Sequence, residues 1–85
     1  MAQVKAISGL VTDVTGEPVI GASVVEVGTT NGVITDLNGK FSLKVAPNSQ
    51  FLVSYIGYKQ QTIKVGSEST YNIVLKEDAE VLGEV

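Results

Sequence analysis

The sequence predicts an all-β fold, an antiparallel sandwich of about seven short strands laid out in two sheets. Three observations carry that reading. Turn-forming clusters ("TGEP", "TNG", "LNG", "APNS", "IGY" and "GSES") recur about every ten residues, the spacing of short strands joined by tight connections. Between them apolar and polar residues alternate with period two, and no stretch carries the period of an amphipathic helix. The apolar residues are rich in β-branched types, which suit a pleated, half-buried surface.

Taken in chain order, Ile7, Gly9 and Val11 share the face of a first strand. "ASVVEVG" follows with Ala22 and Val24 inward; since Val24, Val25 and Val27 cannot share one face, a bulge or burial of both faces is expected there. The clearest strand sets Phe41, Leu43 and Val45 against Lys40, Ser42 and Lys44. Next, Phe51, Val53 and Tyr55 oppose Leu52, Ser54 and Ile56, and Gln61, Ile63 and Val65 oppose Thr62 and Lys64. A last strand turns Tyr71, Ile73 and Leu75 inward against Asn72, Val74 and Lys76. By this alternation Tyr55 belongs to the core with its hydroxyl at the rim, while Tyr58 packs across the adjoining turn or meets a partner.

"TTNGVITDLNGKFSL" contains two Asn-Gly pairs, and both read as hairpin turns because each supplies two residues that tolerate positive φ. Asp36 is expected to cap its turn through the side chain. The rival for Asp36 is a weak, partly hydrated calcium site shared with backbone carbonyls. A helix-flanked calcium loop would need a bidentate glutamate at the twelfth place, and counting from Asp36 that place is Pro47.

Composition narrows the function. The chain has 85 residues, 44% of them hydrophobic and 18% charged, which suits one packed domain rather than a disordered segment. Without histidine or cysteine it lacks the usual general base, the commonest zinc ligands and any disulfide. Its basic residues are six lysines, with no arginine for bidentate contacts to phosphate or guanine, so nucleic acid is not an expected partner. No apolar run approaches the ~20 residues of a membrane-spanning helix. Serine and threonine have no histidine base and no nucleophile motif around them, and "KEDAE" reads as a solvated charge run. No catalytic, cofactor-binding or metal residue is therefore assigned.

Lys76, Glu77, Asp78, Glu80 and Glu84 carry the whole net charge of −3, because five lysines and five acids balance over residues 1–75. The expected organisation is a sandwich over residues 1–76 and an acidic, apolar tail over 77–85. That tail ends on Val81, Leu82 and Val85, as if the natural chain ran on.

Three runs are more specific than any single turn. The first holds Gly9, Val11, Thr12, Asp13, Gly16, Glu17, Pro18, Gly21 and Ala22; the second is "GTTNGVITDLNGKF", Gly28 to Phe41; the third is "SYIGY", Ser54 to Tyr58. Together they resemble the carboxypeptidase-regulatory-like domain at the N-terminus of SusC-type TonB-dependent outer-membrane receptors of Bacteroidetes. The resemblance covers nearly the whole chain. It implies a transthyretin-like Greek-key sandwich on the periplasmic side of the outer membrane, ahead of a plug and a barrel that import glycans or other nutrients. Partners implied are the rest of the receptor, and the TonB system or other periplasmic proteins. Leu82, Glu84 and Val85 match the start of the family's "L-x-E-V" passage toward a TonB-box segment, with Gly83 where aspartate is frequent. The expected role is a non-catalytic accessory or interaction domain without a cofactor, and open strand edges offer one mode of contact. Its alternatives are a structural or adhesive sandwich of a secreted surface protein, and a weak carbohydrate- or calcium-binding module.

Overall fold

The structure is a computed structural model and describes residues 4–78. Its strands are β1 (Lys5–Asp13), β2 (Ser23–Glu26), β3 (Gly32–Ile34), β4 (Lys40–Val45), β5 (Gln50–Ser54), β6 (Gln61–Lys64) and β7 (Thr70–Leu75), with no helix among the described residues. They form a three-stranded sheet, β4-β1-β7, and a four-stranded sheet, β3-β2-β5-β6. One core lies between them, so the chain is the all-β sandwich that the alternation predicts.

One pairing departs from the antiparallel expectation. β1 runs antiparallel to β4 but parallel to β7, in register from Ser8 opposite Thr70 to Asp13 opposite Leu75. A parallel pair needs a long crossover connection. Here the crossover is everything from β2 to β6, and a contact between chain ends leaves no trace in local sequence.

Phe51, Ile7, Leu75, Val11 and Val24 are among the largest fully buried side chains. The ring of Phe51 lies 5.9 Å from Phe41 of the facing sheet and meets Tyr71 edge-on at 5.4 Å. Tyr71 reaches the rim, where its hydroxyl donates to the Glu68 carbonyl at 2.9 Å and accepts from the Gly66 amide at 3.1 Å.

Gly9 makes this aromatic packing fit. It stands opposite both Phe41 and Tyr71 in the central strand, and a Cβ there would run into the Tyr71 carbonyl oxygen and come within 2.6 Å of the Phe41 ring. Gly9→Ala is therefore expected to lower unfolding stability by about 1–3 kcal/mol, the usual cost of overpacking. A glycine kept only for flexibility would instead gain about 0.4–1 kcal/mol on the same change. Urea unfolding of the two proteins decides between these signs.

β2 is regular, without the expected bulge or double burial. Val24 and Glu26 face inward, Ser23 and Val25 face out, and Val27 lies past the strand end, 48% exposed.

The two Asn-Gly pairs behave differently from each other. Asn38-Gly39 makes a tight turn with Gly39 at φ +77°, but it carries the chain from one sheet to the other instead of closing a hairpin. Between β2 and β3 the positive φ falls on Gly28, and neither Asn31 nor Gly32 adopts it. Asn31 acts through its side chain instead, donating to Glu26 Oε1 at 3.0 Å and to the Lys44 carbonyl.

Of the tail expected over residues 77–85, Glu77 bridges to Tyr58 and the Asp78 amide donates to the Gly57 carbonyl at 3.0 Å. Val81, Leu82 and Val85 lie outside the described residues.

Candidate functional site

β5 ends at Ser54, and the chain then turns sharply, with the Tyr58 amide donating to the Tyr55 carbonyl at 3.0 Å and Gly57 at φ +87°. This corrects the reading of Tyr55. The two-residue period stops at Ser54, two positions earlier than the sequence suggests, and the ring stands 40% exposed instead of in the core. Tyr58 packs partly against the core across the turn, as expected of it. The two rings lie 6.0 Å apart at 46°.

Together they line a groove of about 560 Å³ with Ile56, Gln60, Ser54, Ser23 and Gly21. Ile56 is 89% exposed, and Ile34, beside Ser23 in the ladder, is exposed as well. Among the described residues the lining holds two phenolic hydroxyls, serines, an amide and apolar surface, with no carboxylate or amine. Such a surface suits contact with a peptide or another apolar-polar surface rather than proton transfer.

Asp36 has the capping role expected of it. Its Oδ1 accepts from the amides of Asn38 and Lys40, both at 2.9 Å, while Gly39 N–H bonds the Asp36 carbonyl. A feature unseen in the sequence reading accompanies it: "TDVTGE" at residues 12–17 repeats "TDLNGK" at 35–40. Asp13 Oδ1 likewise accepts from the amides of Thr15 and Glu17, at 2.9 and 3.1 Å, and Gly16 N–H bonds the Asp13 carbonyl. The two turns meet where the Val11 amide donates to the Gly39 carbonyl at 2.8 Å. Among the described residues no three or more of Asp, Glu, His and Cys gather in one place.

Glu26 carries a role that no motif in the sequence marks. It is buried, the inward place after Ala22 and Val24, which was the available signal. Its Oε1 accepts from Asn31 and its Oε2 from the Ala46 amide at 3.1 Å, fastening the β2–β3 loop to the turn between β4 and β5.

Hydrogen bonds hold all three carboxyls below their ordinary values. For Asp13 the Thr15 hydroxyl is the main cause, for Glu26 the Asn31 amide, and for Asp36 the Lys40 backbone N–H. In each case the unfolded chain takes up the proton first on acidification. The stability these groups add is present above the ordinary values of 3.8 and 4.5 and is lost as pH falls through the lower folded values. The urea midpoint should therefore drop on going from about pH 5 to about pH 3. The triple variant Asp13→Asn, Glu26→Gln, Asp36→Asn should start lower and show a shallower drop; equal slopes would refute the assignment.

The carboxypeptidase-regulatory-like domain model, described as "CarboxypepD_reg-like domain", matches residues 7–85. TonB-dependent receptor SusC of Bacteroides thetaiotaomicron is 48% identical over 84 residues, covering 99% of this chain and 8% of the receptor. TonB-dependent receptors P39 and P3 of Formosa agariphila are 35% and 33% identical, covering 93% and 99% of this chain and 8% and 9% of their own lengths. The chain thus spans under a tenth of these curated relatives. Among solved structures, a chain of a type II cohesin–X-dockerin complex from Acetivibrio cellulolyticus matches at TM-score 0.65 and 23% identity, covering 84% of this chain and 56% of that one. That likeness concerns the sandwich fold alone.

Proposed function

The chain belongs to the CarboxypepD_reg-like domain family, and from that membership we propose that it is a non-catalytic accessory and interaction domain of a TonB-dependent outer-membrane receptor. It stands on the periplasmic side, ahead of the plug and barrel of a nutrient importer, with glycans the leading cargo class. The observation that carries this reading is the 48% identity to a SusC receptor across 99% of the chain. The groove supports it, because its described lining offers apolar and hydroxyl-bearing surface for protein contact.

Topology can be tested in the parent receptor. The domain has no cysteine of its own, so Leu37→Cys, at an exposed turn position, gives a single reporter within it. A membrane-impermeant thiol reagent should label that position only after the outer membrane is permeabilised. Labelling in intact cells would overturn the periplasmic placement. The accessory role predicts that deleting the sandwich leaves the barrel assembled while nutrient uptake falls; unchanged uptake would remove that role.

A further inference from the structure

We propose that the outer edge of β3 pairs with itself: a second copy of this chain adds its own β3 antiparallel, across a two-fold axis at Val33, and joins two four-stranded sheets into one. The direction of the backbone groups leads there. In the β2–β3 ladder the Glu26 amide donates to the Asn31 carbonyl at 2.8 Å and the Thr35 amide to the Ala22 carbonyl at 2.9 Å. Antiparallel bonding alternates along a strand, so Val33, midway between them and opposite Val24, also turns its N–H and C=O toward β2. Gly32 and Ile34 turn theirs the other way, and among the described residues nothing bonds them.

The other strand edges are partly closed or guarded. Along β4 the Lys40 amide and carbonyl are both taken by Asp36, and the Lys44 carbonyl by the Asn31 side chain. Along β7 the Val74 carbonyl accepts from the Gln61 side chain, and just past the strand the Lys76 carbonyl accepts from the Lys59 amide. β6 carries the exposed Lys64, a charge of the kind that discourages strand addition. β3 has no such device: residues 27–35 hold no charge, and Ile34 is 68% exposed.

This edge is also complementary to itself. With Val33 opposite Val33 of the second copy, each Gly32 faces an Ile34, so every outward N–H and C=O of one β3 meets its counterpart on the other. On the outer face each Ile34 side chain then lies over the Gly32 of the second copy, where no Cβ stands in its way. Beside that glycine is Val25, whose Cγ2 lies 2.8 Å from where a Cβ on Gly32 would be, so the isoleucine covers an apolar neighbour as well. A foreign strand could meet the backbone groups too, but the fit of isoleucine over glycine is supplied by this chain's own sequence.

The inference rests on ladder geometry and not on a place in a receptor, so it stands or falls separately. The contact is short, and the dimer is accordingly weak, as small interfaces below ~1,200 Å² are. In sedimentation the 85-residue chain should rise from monomer toward dimer mass between micromolar and millimolar concentration. At the high end, NMR on mixed isotope-labelled and unlabelled copies should show an Hα–Hα contact between Val33 of one copy and Val33 of the other, and contacts from Ile34 methyls to Gly32. Ile34→Lys places a charge on the edge, and Ile34→Pro removes an N–H that only an added strand would use. Both should stay monomeric, with β1 and β7 amide shifts in place to report an intact fold. Ile56→Lys, an exposed apolar position away from this edge, should dimerise like the parent. A monomer at every concentration would overturn the proposal, as would a dimer that survives Ile34→Lys. A dimer lost in Ile56→Lys, with contacts at Tyr55 and Tyr58, would overturn it too and assign self-association to the groove.

Discussion

Phe51→Ala should lower the free energy of unfolding by about 3–5 kcal/mol, the range for truncating a buried phenylalanine. For a chain of this length total stability is on the order of 4–13 kcal/mol, so the loss removes a large share of it. The expectation follows from position. Phe51 has no exposed surface, pairs with Glu26 of β2 and Ile63 of β6, and its ring bridges to Phe41 and Tyr71 in the other sheet. Neighbours in both layers cannot collapse into the gap without parting from their own ladders, so a cavity persists. Urea unfolding should show an earlier midpoint with an unchanged slope, and Phe51→Leu should recover most of the loss. A midpoint within error of the parent would mean that the two sheets do not share this ring as their common support.

Thr35→Val should cost about 2–4 kcal/mol, although it replaces one β-branched residue with another of nearly the same shape. Thr35 is 2% exposed, and its Oγ1 accepts from the Ala22 amide at 2.8 Å while donating to the Val19 carbonyl at 2.6 Å. Its backbone completes the link, with the Thr35 amide donating to the Ala22 carbonyl and its carbonyl accepting from the Gly21 amide. One hydroxyl therefore satisfies a buried donor and a buried acceptor in the 19–22 segment. A methyl in its place satisfies neither, and the greater part of the cost is the stranded Ala22 N–H. Thr35→Ser keeps the hydroxyl and should lose much less, about the value of the missing methyl, near 1 kcal/mol. Equal losses for valine and serine would show that packing, not hydrogen bonding, holds the segment.

The sequence made some parts of this architecture legible and hid others, for identifiable reasons. β4, β5 and β7 were readable because each buries one face only, so Phe41, Leu43, Val45, Phe51, Val53, Ile73 and Leu75 alternate with polar or less buried residues. Alternation carries no marker for where a strand stops. Alternation alone puts Tyr55 inward for that reason, and it gives no sign of the groove that Tyr55 borders. Its lining comes from the start of β2, the end of β5 and the following turn, segments that sequence alone does not bring together. Glu26 and Thr35 show a related gap: a buried polar residue on an inward position implies partners, yet two of those partners, the Ala46 and Ala22 amides, belong to the backbone and have no residue-type signature. The twin Asp-x-x-Gly turns were present in the letters, but they recur without fixed-period repetition of anything around them.

The parallel neighbours β1 and β7 also decide how the domain answers a pull. Residue 5 and residue 75 sit at opposite ends of strands that point the same way, so tension between them slides the two strands past each other lengthwise. The six register pairs from Ser8–Thr70 to Asp13–Leu75 then take the load side by side, whereas a hairpin such as β2–β3, pulled from its open end, yields one rung at a time. Stretched between those residues, a single molecule should break at a higher force than one stretched across the open end of that hairpin.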